Sequence, residues 1–205
     1  MRTSESRIKA PVPLTSPDPR FSLARVVSCL ESRPHVEEEC PEGVRRAAVL
    51  LLLTDGPDGV EVLLTRRSHD VSDHKGQVSL PGGAIDPEDV DSRAAALREA
   101  SEEVGLAPAR AQVLGRLDDY VTITGFHIVP WVAAIDDFED LGPRTSEIEE
   151  VFRFPLAYLA DERHVLRVPW KRPGSNDDAL FIPYGEQLLW GVTARILYRL
   201  LEILS

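Results

Sequence analysis

Residues 82–106 read GGAIDPEDVDSRAAALREASEEVGL: two glycines, an acidic turn, then a run with helical character. Three glutamates, Glu99, Glu102 and Glu103, fall within five positions of that run. Like charges three and four residues apart on a helix repel by a few tenths of a kcal/mol per pair. The chain therefore needs either water around these carboxylates or a positive charge among them. At about 100° per residue, Leu97 and Val104 share one face, flanked by Ala94, Ala100 and Ser101. The three glutamates are expected on the opposite side, within an arc of roughly 100°. Asp91 or Ser92 is placed to cap the helix start, and Gly105 with Pro108 to end it.

An acidic stripe opposite an apolar one also fits a plain solvated helix. The flanking residues favour chemistry. Gly82 and Gly83 let the chain approach the helix closely, and Gly83 can offer its carbonyl to a cation. Arg98 lies i to i+4 from Glu102 and is placed to orient that carboxylate. Clustered carboxylates suit Mg²⁺ or Mn²⁺, hard ions that take oxygen ligands and orient phosphate.

Outward from this stretch, 205 residues suffice for one sizeable core. A content of 43% hydrophobic and 28% charged residues is that of an ordinary globular protein. The formal net charge of -11 argues against a nucleic-acid partner held by phosphate neutralisation, though not against a small phosphorylated ligand. Cys29 and Cys40 form no CxxC, so a reducing compartment is expected. The N-terminal stretch has no apolar core of a secretory signal, and the longest apolar run, AAVLLLL at 47–53, is too short to span a membrane. A cytoplasmic location without membrane partner follows.

Residues 1–20, rich in Pro, Ser and charge, read as a flexible arm; it is a candidate homodimer contact or a cap on the core. Residues 21–33 have helical spacing. RRAAVLLLLTD (45–55) and VEVLLTRR (60–67) read as neighbouring strands about a GPDG turn. Residues 68–83 are too rich in Gly, Pro and charge for regular structure. Strand-like runs follow at 111–123 and 125–135, a strand entering a short helix at 146–159, and one long amphipathic helix at 186–204. Interleaved strands and helices predict α/β or α+β packing in one domain over 21–205.

The stretch 82–106 resembles the Nudix box, and its last nine positions, REASEEVGL, match throughout. The interval from Gly83 to Arg98 is one residue longer than in the general box, which leaves the early acidic position open among Asp86, Glu88, Asp89 and Asp91. The resemblance implies a Nudix fold, a mixed β-sheet sandwiched between α-helices. It also implies hydrolysis of a nucleoside diphosphate linked to another group. Glu99, Glu102 and Glu103 would then ligate Mg²⁺ or Mn²⁺, Glu99 could take a proton from the attacking water, and Arg98 would hold a glutamate in place. Glu147 and Glu150 lie where many Nudix proteins supply a further carboxylate, Glu147 being the candidate catalytic one; a solvated strand end is the alternative.

LLTRRSHDVSDHKGQVSLPGG (63–83) is similar to a pattern upstream of the box in coenzyme A pyrophosphatases. Leu63, Leu64, Thr65, Arg67, Ser68, Gly76, Pro81, Gly82 and Gly83 fit it. Leu80 replaces a phenylalanine, and Ser72 stands where an arginine is expected, losing a bidentate phosphate contact. Arg66, Arg67, His74 and Lys75 are the candidate substrate-binding residues. Trp131, Phe152 and Trp190 are open to two readings, adenine stacking or packing. The resemblance implies cleavage of coenzyme A or its thioesters. The alternatives are a Nudix hydrolase for ADP-ribose, a dinucleotide or a nucleoside triphosphate, and an idle nucleotide- or partner-binding module.

Overall fold

The computed structural model describes residues 8–9, 20–37, 39–57, 59–69, 75–170 and 178–205. Ser72, His74 and most of the 1–20 segment lie outside the described residues. Within that segment Ile8–Lys9 forms a short strand, β1. The chain continues through helix α1 (Leu23–Ser32) and the antiparallel strands β2 (Arg45–Gly56) and β3 (Gly59–Arg67). Short strands β4 (Val78–Ser79) and β5 (Gly82–Ala84) lead into α2 (Ser92–Val104). Then come β6 (Gln112–Arg116), β7 (Tyr120–Val121), β8 (Phe126–Ala134) and β9 (Ile148–Pro155), and after a 3₁₀ turn at Leu156–Ala160, β10 (Leu166–Val168), β11 (Ala179–Tyr184), β12 (Gln187–Trp190) and α3 (Gly191–Leu204).

The main sheet runs β1-β9-β3-β2-β8-β6 and is mixed: β2 pairs β8 in parallel and β3 antiparallel. The apolar run of β2 serves both faces at once. Ala47, Leu51 and Leu53 pack with α1 and α3, while Ala48, Leu50 and Leu52 pack with α2. A strand covered on both sides reads as a continuous apolar run because successive side chains alternate between faces. The sheet thus lies between helices, as the α/β expectation had it.

One edge of β2 takes two partners in turn, β5 opposite residues 47–49 and β3 opposite 53–56. Beyond that hairpin β3 pairs with β4 and β9. The glycine pair of β5 therefore sits where β3 and β5 part, and α2 lies over β2 and β5. Asp91 caps α2, its Oδ1 accepting from the Ala94 N–H at 2.7 Å. Gly105 ends it in the left-handed conformation at φ 78°. Asp91→Ala is expected to lower stability by about 1 kcal/mol, read from urea unfolding; an unchanged midpoint would show that the cap carries no weight.

Three expectations need correction. Residues 68–83 are not free of regular structure, since β4 and β5 pair into the sheet. The run 111–123 is broken between β6 and β7, where Asp119 turns inward to Arg116 and to His127. The stretch 186–204 is not one helix: Gln187–Trp190 pairs antiparallel with β11 in a second, three-stranded sheet, and the helix starts only at Gly191. The backbone groups of QLLW find partners in β11, which helical periodicity does not register. Among the described residues no helix is long and apolar enough to cross a membrane.

Candidate active site

The buried side of α2 is made of Ala95, Ala96, Ala100, Val104 and Glu103. Small alanines let the helix lie close to the sheet, and Leu97 is left at the margin, half-buried. Glu103 falls in the middle of the buried arc and is 8% exposed. The expectation that all three glutamates oppose the apolar face is thus wrong for Glu103. Its Oε2 accepts from the Gly82 N–H at 3.2 Å. Burial pushes its pKa up to about 7, against the Gly82 hydrogen bond; the charges of Glu99 and Glu147 raise it further and that of Arg67 opposes them. Glu103, Glu99, Arg67 and Glu147 accordingly share one electrostatic neighbourhood.

Glu99 is half-buried, and burial raises its pKa, opposed by Arg98 and reinforced by Glu102 and Asp86. Gly83 lies against it: a Cβ at this glycine would come 2.5 Å from Glu99 Oε1. A side chain at this position would push the carboxylate away from the backbone. Glu102 points outward and touches Arg98 at 3.4 Å. Two of the three expected glutamates thus converge beside the glycine pair, and the third stands on the rim.

Arg98 makes its main contacts elsewhere than expected. Its guanidinium grips Asp89 with two bonds, at 3.1 and 3.0 Å, and reaches the Ala84 carbonyl at 3.1 Å and Glu99 at 3.0 Å. These charge-assisted bonds raise the Arg98 pKa, the Asp89 pair foremost. Of the four acids left open, Asp89 is the one clamped, Asp86 stands 3.4 Å from Arg98, and Asp91 caps the helix. Arg98 thus ties the acidic loop to α2.

Beyond the glycines, β3 and β9 face each other with opposite charges. Arg67 reaches Glu147 at 3.0 Å, and Arg66 reaches Glu149 at 2.8 Å and Glu150 at 3.1 Å. Glu150 also accepts from the Gln187 side chain at 2.9 Å, a partner hidden in sequence by the misread strand. Both arginines are thus held by acids of this chain, but the buried Arg67 Nε has no hydrogen-bond partner among the described residues. Lys75 is exposed. The segment carrying Glu147 is tied to the end of α2, where the Glu103 and Val104 carbonyls accept from Arg144 N and Gly142 N at 2.9 and 3.1 Å. Phe152 is buried in the core, Trp131 donates to Ser92 Oγ at 3.1 Å, and Trp190 is 43% exposed.

Among the described residues, no three acidic, histidine or cysteine side chains already stand in metal-ligand geometry. The donor set nevertheless suits a hard divalent cation, which keeps several waters and needs only one or two carboxylates from the protein. Two carboxylates pressed together under partial burial, both with raised pKa, are the charge such an ion would offset.

The NUDIX domain family matches residues 44–172, more than half of the chain. NudL of Photorhabdus laumondii, an uncharacterized Nudix hydrolase, is 38% identical over 160 residues, 77% of this chain and 84% of its own. NudL of Escherichia coli K12 is 36% identical over 170 residues, 82% and 86% of the two chains. The crystal structure of a MutT/nudix family protein from Enterococcus faecalis superposes with a TM-score of 0.51 at 18% identity, over 90% of this chain and 70% of that one, a likeness of fold. With Glu99 and Glu103 beside the glycine pair and its sheet between helices, the chain belongs to the Nudix hydrolase family.

Proposed function

We propose that this Nudix hydrolase is a Mg²⁺- or Mn²⁺-dependent diphosphatase for coenzyme A or its thioesters, releasing 3′,5′-ADP and 4′-phosphopantetheine or its acyl derivative. The observation that carries the reading is the convergence of Glu99 and Glu103 beside Gly82–Gly83, with Arg67 adjacent. Glu99, Glu103 and the Gly83 carbonyl would hold the ion, with Glu102 at the rim. When bound, the ion supplies charge neutralisation of the diphosphate and acidifies a water. Glu99, half-buried beside Gly83, would accept the proton of the attacking water. Glu147 is the second candidate for that proton. The water oxygen bonds to one phosphorus as the bridging oxygen leaves with its electron pair. Arg67, paired with Glu147 and close to Glu103, would donate to a phosphate oxygen, and Arg66 and Lys75 would add positive charge. The free cysteines Cys29 and Cys40 support a cytoplasmic setting.

A second reading keeps the site and moves the substrate to ADP-ribose, a dinucleotide or a nucleoside triphosphate; Ser72, in place of an arginine, favours it. Product chromatography with coenzyme A and Mg²⁺, beside ADP-ribose and an EDTA control, decides. Formation of 3′,5′-ADP well ahead of ADP-ribose cleavage is the expected result. Intact coenzyme A with cleaved ADP-ribose would overturn the substrate and keep the chemistry.

A further inference from the structure

The described residues enclose a groove of about 440 Å³ between Gln77, the segment 120–124 and the small sheet. Its volume falls within the range of small-molecule sites. Ile123, Trp170, Leu188 and Trp190 line it and are all well exposed, an unusual concentration of large apolar side chains on one surface. The outward face of the small sheet supplies Leu188 and Trp190, the residues whose strand character the sequence concealed.

Two observations tie this groove to the carboxylates. Gln77, in its wall, accepts from the Arg67 N–H at 3.0 Å through its backbone carbonyl, and the charge of Arg67 acts on Glu103. Tyr120, also in its wall, pairs with Ile128, Ile128 with Ala47, and Ala47 with Ala84, next to Gly83. Three strand spacings separate Tyr120 from Ala84, ~14 Å. A pantetheine arm, from phosphate ester oxygen to sulfur, has the chain length of about four peptide residues, ~14 Å when extended.

Charge selects which end of the substrate belongs there. Among the described residues the lining holds one cation, Arg195, whose Nη2 donates to the Asp178 carbonyl at 2.6 Å, and one acid, Asp178 itself. A nucleoside bearing a 3′-phosphate would bring about two negative charges to that balance. A thioester arm brings none. We propose that the groove binds the acyl group of a coenzyme A thioester, so that the enzyme chooses among diphosphates by the apolar group on sulfur. The inference rests on the coenzyme A reading above.

The test compares kcat/KM for octanoyl-coenzyme A and unacylated coenzyme A, with ADP-ribose beside them, for the unmodified protein and for Trp190→Ala. Leu188→Asn serves as a second variant should Trp190→Ala not fold. Tryptophan fluorescence during titration of Glu99→Gln protein with each ligand reads binding without turnover. The expected result is an octanoyl preference of about tenfold in the unmodified protein, as burial of a few methylenes supplies. That ratio should fall to about one in the variants, and the fluorescence response to the acyl chain should shrink in parallel.

Coenzyme A cleavage with no chain-length preference would overturn the groove and leave the function standing. An equal loss for both thioester and free coenzyme A would place the nucleotide there and overturn it too. So would a concentration-dependent dimer mass lost in Trp190→Ala with the preference intact, which would make the occupant a second copy. ADP-ribose cleavage with both coenzyme A compounds intact would sink the underlying reading itself.

Discussion

Glu103→Gln is expected to lower kcat by on the order of 10³-fold while raising the melting temperature of the metal-free protein. The two effects share one cause. Glu103 is a carboxylate 8% exposed that accepts a hydrogen bond from the Gly82 N–H, with the charge of Glu99 acting on it. Its pKa of about 7 in the fold stands above an ordinary 4.5. Between those values the folded chain binds a proton that the unfolded chain has released, so metal-free stability falls as pH rises through the window. Above pH 7 the full cost is on the order of 3 kcal/mol. A glutamine keeps the oxygen that accepts from Gly82 and never carries the charge. For a chain of this size the gain is roughly 5–10 °C at pH 8. The same substitution removes half of the charge that would hold a divalent ion, so Mg²⁺ should stabilise the native protein and do little for the variant. Thermal melts with EDTA and with Mg²⁺, beside initial rates, read all three quantities. A variant that loses activity by melting earlier would show a folding defect and no role in the chemistry. Retained activity would remove Glu103 from the site.

Much of the scaffold was legible because it is written in local periodicity. The two-faced strand at 45–56 and the hairpin to 59–67 follow from apolar runs about a turn. The caps of α2 follow from Asp91 and Gly105. The glutamate helix departs from its sequence pattern on one point, because Leu97, a large aliphatic residue, does not mark the middle of the buried side. Here the marking residues are alanines, since close contact with β5 leaves room for nothing larger, and that rotation carries Glu103 inward. Arg66 and Arg67 stand out in the sequence as a basic pair, but their pairing with Glu147, Glu149 and Glu150 depends on the β3–β9 register, where Arg66 stands opposite Glu150 across 84 residues of chain. The groove escaped notice for the same reason. Its walls come from segments scattered over more than 100 residues of chain, from Gln77 through Tyr120 to Trp190, and a strand that reads as helix hides the outward face of β12.

Arg98→Lys should lower kcat/KM by on the order of 10²-fold, the scale of a misplacement near 1 Å at a reacting centre, with about 2 kcal/mol of stability lost. Lysine conserves the charge, so a role in balancing the glutamates alone would leave activity nearly intact. What lysine cannot reproduce is the fork. Arg98 binds Asp89 through Nε and Nη2 together, the Ala84 carbonyl through Nη2, and Glu99 through Nη1. These bonds fasten both ends of the acidic loop, and its first residue adjoins Gly83, against which Glu99 rests. A single ammonium can satisfy one of these partners well but not a planar pair and a carbonyl at once. Releasing the loop frees Gly83 from Glu99, so the Mg²⁺ concentration for half-maximal rate should rise along with the fall in kcat. That coupled shift is what separates a clamp from a charge. If Arg98→Lys keeps its Mg²⁺ requirement while Arg98→Ala loses it, the contribution is electrostatic, and the geometry of the fork is incidental to the reaction.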